Sequence, residues 1–263
     1  MKIGYQGAMG SFSQLAAQKL FPNEELINHL TFDEVIKEVL ADRLDYGILP
    51  IENSFTGEVG MVLDELFAAE IYINKVYELP IVQNLVGLKD ASLDDIKQVY
   101  SHEQALMQCS EFLKAHNFEM ISFPNTALAS KYVSDIKDKS KAAIASDVTA
   151  ELYDLKIIQE AINNKKSNTT RFAVVGKSLE TIKDHFAFIF TVKDGSGALA
   201  KILSEISLEA INLTSIKSRS MHDLPWKYYF YCEAEGRLDS PNVVNMIKVL
   251  KKKCQTFKII GSY

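Results

Sequence analysis

The chain has 263 residues, 47% of them hydrophobic, which can bury a substantial core and exceeds what one compact domain usually takes. Its formal net charge is -5, from 29 Lys and Arg against 34 Asp and Glu with no long block of either sign, and such a surface repels phosphate, so nucleic acid is excluded as a partner. No apolar run approaches the roughly 20 residues that cross a bilayer, and Met1-Lys2-Ile3-Gly4-Tyr5 enters a strand-like segment without a signal-peptide core, so a cytoplasmic protein with no membrane partner is expected.

In chain order, residues 2–5 read as a strand, 13–21 and 31–41 as helices, and 46–51 as a second strand ending around Pro50. Val59, Val62, Leu63 and Leu66 fall at i, i+3, i+4 and i+7, which predicts a helix after the turn Asn53-Ser54-Phe55-Thr56-Gly57. Residues 81–87 form an apolar strand and Val99-Tyr100 another, followed by helices over 103–116 and 127–134 and a short buried strand over 142–145. The run Asn163-Asn164-Lys165-Lys166-Ser167-Asn168 is polar and has no period, whereas 170–175 resumes strand character, as though returning to an earlier sheet. Alternation of strands and helices up to about Val175 implies an α/β body around a largely parallel sheet, with 177–184 as a linker.

From His185 the order changes to strand 186–192, helix 199–208, strand 212–218, strand 226–235, helix 243–252 and strand 257–260. This is βαββαβ, the ferredoxin-like arrangement. Within 226–235, Trp226, Tyr228, Phe230, Cys232 and Ala234 share one face and Lys227, Tyr229, Tyr231, Glu233 and Glu235 the other, so one side would pack on helices and the other meet solvent or a partner. Cys109, Cys232 and Cys254 are odd in number and far apart, matching neither a disulfide framework nor a zinc site, so reduced thiols and no metal are expected.

Four segments carry candidate chemistry. Gln6-Gly7-Ala8-Met9-Gly10-Ser11-Phe12-Ser13 places two glycines between a strand and a helix, where free backbone N–H groups face an anion or where Ser11 or Ser13 simply caps the helix. It matches neither a Walker A motif nor a complete dinucleotide fingerprint. Leu49-Pro50-Ile51-Glu52-Asn53-Ser54-Phe55-Thr56 delivers a carboxylate, an amide and two hydroxyls at a strand end, where open α/β sheets bind ligands. Asn53, Ser54 and Thr56 could equally cap the next helix, a reading that accounts less well for Glu52.

Ser101-His102-Glu103-Gln104 has capping-box spacing, which puts a helix N-terminus there, and Gln108 lies one turn beyond Gln104 on the same face. Asn168-Thr169-Thr170-Arg171-Phe172 sets hydroxyls beside a fixed cation, a combination suited to a carboxylate ligand and also compatible with an ordinary strand.

Taken in this order and followed by a βαββαβ module, the segments resemble the prephenate dehydratase family over essentially the whole chain. The resemblance rests on Tyr5-Gln6-Gly7 with Gly10-Ser11-Phe12-Ser13, Leu49 to Ser54, Ser101-His102 with Gln104 and Gln108-Cys109, and Thr170-Arg171-Phe172. It implies an α/β catalytic domain over 1–178, two-lobed like the type II periplasmic solute-binding proteins. Lobe one would take about 1–75 and 160–178, lobe two about 76–159, with the substrate in a cleft that closes by hinge motion.

The reaction implied is loss of water and carbon dioxide from prephenate, in phenylalanine biosynthesis, and needs no cofactor because aromatisation drives it. Thr170 would serve the leaving hydroxyl, Arg171 would balance charge, and Asn53, Ser101 and Gln108 would hydrogen-bond substrate oxygens. Glu52 or His102 would supply the proton. Gln6, Gly7, Ser11, Ser13, Ser54, Thr56, Gln104, Thr169 and Phe172 would line the substrate site.

Residues 185–263 resemble an ACT domain, marked by Gly197-Ala198-Leu199 and by Asn212-Leu213 through Ser218-Arg219. Such domains in this family bind phenylalanine between subunits and inhibit, which implies allosteric regulation in a homodimer or homotetramer. The sequence departs from the family at Lys217 and Ser220, where Glu and Pro usually flank Ser-Arg, at Ala200 in place of Val, at Glu103 in place of Pro, and at Asn125 in place of Glu. Three alternatives stand beside this reading: arogenate dehydratase, a non-catalytic two-lobed amino-acid-responsive receptor, and a sensing regulator whose body has lost its chemistry.

Overall fold

The computed structural model describes residues 1–165, 167–221, 224 and 226–263; Lys166, within the polar run above, lies outside them. The chain begins β1 (Lys2–Gln6), α1 (Phe12–Leu20), β2 (Glu25–His29), α2 (Phe32–Leu40), β3 (Tyr46–Asn53), the two-residue β4 (Gly57–Glu58), α3 (Gly60–Ala68) and β5 (Tyr72–Pro80). It continues β6 (Asn84–Gly87), β7 (Gln98–Ser101), α4 (Glu103–Gln108), α5 (Ser110–Ala115), β8 (Glu119–Ser122), α6 (Thr126–Ile136), β9 (Lys141–Ala145), α7 (Asp147–Leu152), β10 (Lys156–Gln159) and β11 (Thr169–Gly176). The last third is β12 (His185–Thr191), α8 (Ala198–Leu208), β13 (Leu213–Ser220), β14 (Tyr228–Glu235), α9 (Pro241–Lys253) and β15 (Thr256–Ser262). The class is α/β, with two sheets.

Several elements correct the sequence expectation. The helix expected over 103–116 is broken at Cys109, whose backbone N–H is shared between the Ala105 and Leu106 carbonyls, so α4 and α5 meet there. Residues 81–83 precede the strand β6 instead of opening it. The strands β2 and β8 escape a reading by period, because their residues are mostly exposed or half-buried and carry no apolar alternation. Strands β5 and β10 and the helix α7 are further additions to the expected elements.

The chain folds into two compact units. The first comprises Met1–Thr31, Glu52–Gly57 and Glu78–Phe172. Within it β1 pairs parallel with β2, and a five-stranded sheet runs β10-β6-β9-β7-β8, with β7 parallel to both β8 and β9 and β6 antiparallel to β9 and β10. Val86, Val99, Leu113, Val133 and Ile144 are fully buried in its core. Each such side chain contributes about 1.5–3 kcal/mol by leaving water.

The second unit comprises Phe32–Ile51, Glu58–Tyr77 and Ala173–Tyr263. Residues 185–263 form a βαββαβ module whose strands run β13-β14-β12-β15, antiparallel to one another. Phe186, Phe188, Phe190, Cys232 and Ala234 pack on α8 and α9 through Ile202, Ile206, Val243, Met246 and Leu250. The opposite face of β14 meets α3, where the Phe67 ring stacks on Tyr229 at 4.7 Å between centroids. Strand β15 joins β5 in parallel at Gly261 and Ile73, and a Cβ on Gly261 would sit 2.5 Å from Ile73 Cβ, so only glycine allows this approach. Strand β11 lies between β5 and β3, which is the return to an earlier sheet that the sequence suggests.

Candidate active site

The first unit holds the residues singled out by the four segments, and a hydrogen-bonded ring of side chains joins three of those segments. It starts where β3 ends. Asn53 is 7% exposed, and its Oδ1 accepts from the backbone N–H groups of Phe55 at 2.9 Å and Thr56 at 3.2 Å. A backbone N–H can only donate, so these contacts fix which end of the amide is oxygen. The Asn53 Nδ2 then donates to Asn168 Oδ1 and to Thr170 Oγ1, both at 2.9 Å.

Asn168 passes the pattern on, its Nδ2 donating to Gln108 Oε1 at 3.0 Å. From the other end of α4, Gln104 Nε2 donates to Thr56 Oγ1 at 2.8 Å, and the Thr56 hydroxyl donates to Asn53 Oδ1 at 3.4 Å. Gln104 and Gln108 lie one helical turn apart. The ring therefore leaves α4, crosses the Asn53 loop and the start of β11, and comes back to α4. Asn53, Gln108, Asn168 and Thr170 are all nine-tenths buried.

Local chain geometry explains why these residues meet. Ser54 binds its neighbour twice: its N–H donates to Thr169 O at 2.9 Å and its Oγ accepts from Thr169 N at 3.0 Å, while the hydroxyl donates to Ser167 O. Asparagine side chains help hold the unperiodic run before Asn168, alongside backbone bonds such as Asn164 N to Gln108 O at 2.7 Å. Asn163 Oδ1 accepts from Gln83 N at 2.8 Å, and Asn164 Oδ1 accepts from Glu111 N at 3.1 Å while its Nδ2 donates to Met107 O at 3.2 Å. Such contacts satisfy the backbone of neighbouring segments without a ladder or a helix.

Other expected site residues are placed differently. Glu52 and Arg171 pair at 3.0 Å, but each is the strand neighbour of a ring residue, Asn53 and Thr170. Successive strand side chains point to opposite faces, so this pair lies on the reverse side of the strands, which corrects Glu52 as a proton source for Thr170. Phe172 is 2% exposed and is a core residue, not part of a binding surface.

Ser101 is fully buried at the end of β7 and its hydroxyl donates to Ile144 O at 3.1 Å, tying β7 to β9. This corrects its role in a capping box; to hydrogen-bond a substrate oxygen, as expected of it, the hydroxyl would have to turn from Ile144 O. The N-cap of α4 is His102, whose Nδ1 accepts from Gln104 N at 3.3 Å, an arrangement that leaves the hydrogen on Nε2. Nor do Asn53, Ser54 or Thr56 cap α3, whose N-cap Val59 has no side-chain bond.

The glycine turn is largely self-satisfied. Gly7 N donates to His29 O, Gly10 N to Gln14 Oε1 and Ser11 N to Ala8 O, so these groups do not await an anion. Ser11 caps α1 by accepting from Gln14 N, Ser13 is buried in the first turn, and Gln6 Nε2 donates to Leu30 O at 3.2 Å. Thr149, which no sequence motif singles out, anchors the turn by donating to Gly10 O at 2.5 Å.

In the second unit the regulatory marks separate. Ala198 and Leu199, next to Gly197, line a cavity of about 460 Å³ together with Trp226, Tyr228 and Phe230. Asn212 and Leu213 line another hollow with Leu203 and Ile206. Ser218 is exposed, and Arg219 turns to α3, bonding Asp64 at 2.7 Å; Tyr229 also donates to Asp64, at 2.5 Å. Lys217 alternates with Ser218 along β13, on the face that Arg219 presents to α3.

A buried, neutral ring of amides and a threonine hydroxyl, set where β3 ends and β11 begins, belongs to a small-molecule site of the kind expected of an enzyme. The family model for prephenate dehydratase matches residues 3–180, and the chain belongs to the prephenate dehydratase family. It is 34% identical over 268 residues to a bifunctional chorismate mutase/prephenate dehydratase of Aquifex aeolicus, covering 100% of this chain and 73% of the relative. It is 32% identical to the prephenate dehydratase of Lactococcus lactis subsp. cremoris, covering 95% of this chain and 90% of the relative. A crystal structure of prephenate dehydratase from Arthrobacter aurescens in complex with L-Phe superposes with a TM-score of 0.91 at 25% identity, covering 100% of this chain and 89% of that one.

Proposed function

We propose that this chain converts prephenate to phenylpyruvate, water and carbon dioxide, with residues 1–178 as the catalytic domain. The observation that carries the reading is the Asn53 to Thr170 hydrogen bond at 2.9 Å. Because Asn53 donates, Thr170 accepts with its oxygen and keeps its own O–H for a ligand. In the reaction the ring C–O bond breaks with its electron pair going to oxygen. The bond to the ring carboxylate breaks as well, and that pair completes the aromatic ring as carbon dioxide leaves.

A hydrogen bond from Thr170 to the departing oxygen is stronger in the transition state than in the ground state, because negative charge develops there. A threonine hydroxyl is too weak an acid to surrender its proton at neutral pH, so it polarises the leaving group. With Glu52 on the reverse strand face, and with His102 Nδ1 accepting from Gln104 N so that its Nε2–H is no stronger an acid than the threonine hydroxyl, the proton that turns the departing hydroxide into water is drawn from solvent. Aromatisation supplies the driving force, and the equation balances without redox cofactor or metal.

Incubating purified protein with prephenate and following phenylpyruvate through its enolate absorbance in alkali tests the reading. Phenylpyruvate and carbon dioxide in equal amounts are expected; unchanged prephenate would reject it.

We further infer that residues 185–263 are an ACT-type regulatory domain that binds phenylalanine and assembles two or four subunits. The βαββαβ order and the cavity beside Ala198 and Leu199 support this. A route for the signal follows from the chain itself: Arg219 of β13 holds Asp64 of α3, and α3 is the helix the chain enters directly after the Asn53 loop. Trp226 is the only tryptophan and lines the cavity, so phenylalanine should change its fluorescence and lower turnover together. A monomer at every concentration in sedimentation, or no response to phenylalanine, would reject this regulation.

A further inference from the structure

The ring of side chains has a direction. It begins with groups that can only donate, the backbone N–H groups of Phe55 and Thr56, and every bond after them is forced. Asn53 must present Nδ2 to Asn168 and Thr170, Asn168 must then present Nδ2 to Gln108, and Gln108 must receive it on Oε1. Two donors remain over: among the described residues, neither the Thr170 hydroxyl nor Gln108 Nε2 has an acceptor. Both side chains are nine-tenths buried, and Gln108 Nε2 keeps a small opening to solvent through which a ligand can reach it.

We propose that Asn168 is a positioning residue that sets the polarity of this ring, so that Thr170 and Gln108 both offer hydrogen-bond donors and the site selects ligands rich in acceptor oxygens. A dianionic substrate that sheds an oxygen supplies such acceptors, and a cationic or donor-rich ligand does not. This selection rests on the prephenate reading and adds to it the atoms that do the selecting. Were Asn168 unable to donate, Gln108 would turn its Nε2 inward and show an acceptor instead.

Three variants test the polarity. Gln108→Glu keeps an oxygen for Asn168 Nδ2, replaces the outward donor by a carboxylate and adds a negative charge that repels a dianion. Gln108→Met removes both ends, leaving Asn168 Nδ2 without its partner. If the outward donor selects the ligand, KM for prephenate and the calorimetric Kd for phenylpyruvate rise about 10- to 100-fold for Gln108→Glu and less for Gln108→Met. If Gln108 only supports Asn168, the neutral Gln108→Met lowers Tm and leaves KM near wild type, and any Gln108→Glu defect is charge repulsion alone. The Gln108→Glu defect should also shrink as pH falls, since protonation of the introduced carboxyl restores a donor.

Asn168→Asp provides the second route. It still accepts from Asn53 but cannot donate, so KM should rise, and the buried carboxylate should also lower Tm. Wild-type KM in both Gln108→Glu and Asn168→Asp, alongside an active wild type, would overturn the polarity assignment alone. A wild type that leaves prephenate untouched would instead overturn the activity beneath it.

Discussion

Two polar clusters, one in each compact unit, are built on opposite plans. Around Asn53 the members are neutral, each amide is locked by its neighbour, and two donors are left over. Around Asp64 the members are charged and mutually satisfied: Arg219 and Tyr229 both bond the carboxylate, and Phe67 covers Tyr229. Burial, with the hydrogen bond to Asp64 second, pushes the Tyr229 phenol above its ordinary range, so it stays a donor at any working pH. The lesson is that an incomplete cluster awaits a ligand, whereas a complete one is a joint between elements.

The sharpest way to break this contrast is to remove the leftover donor. Thr170→Ala should lower kcat by about 10²- to 10³-fold, as loss of a donor to a developing oxyanion does, with Tm nearly unchanged. A variant with normal kcat would put Thr170 outside the chemistry. The complementary change is Asp64→Ala, which strands Arg219 and Tyr229 in a site where their side chains were mostly covered. It should cost about 2 kcal/mol, lowering Tm by about 4–8 °C, while kcat without phenylalanine stays near wild type and phenylalanine inhibition weakens. A large kcat loss with normal Tm would show that the joint is part of the site.

Glu52→Gln probes the two strand faces. Its turnover should remain within about threefold of wild type, under 1 kcal/mol in the barrier, and its pH–rate profile should be unshifted, whereas a lost basic or acidic limb would return Glu52 to the mechanism. The smallest effect concerns thiols. Burial raises Cys109 from its ordinary value near 9 to about 12, and Cys232 likewise. The folded state thus keeps protons that the unfolded state loses, so this contribution to stability is intact below pH 9 and declines as pH rises from 9 toward 12. Native protein at pH 8 should resist iodoacetamide at both residues; rapid alkylation of Cys109 would contradict its burial.

Much of the fold is legible in the sequence because buried strands and amphipathic helices carry their periods openly. The order of elements in 185–263 can be read from residues such as Phe186, Phe188 and Phe190, which alternate into one core. Edge strands such as Glu119–Ser122 cannot, since few of their side chains are buried. At the site, sequence points to Asn53, Gln104, Gln108 and Thr170 as polar groups at element ends, but pairing is a three-dimensional fact. Asn168 and Gln108 are 60 residues apart and Asn53 and Thr170 are 117 apart, so no local pattern announces either bond. Glu52 looks suitable because composition ignores strand alternation, and Ser101 because a capping-box spacing does not reveal that the hydroxyl is already held by Ile144.

The measurement that bears most directly on the account is phenylpyruvate formation from prephenate by wild type and Thr170→Val side by side, with Tm recorded for both. We predict turnover by the wild type and a loss of at least about 100-fold in an equally stable Thr170→Val. Equal rates for the two proteins, or no product from either, would contradict it.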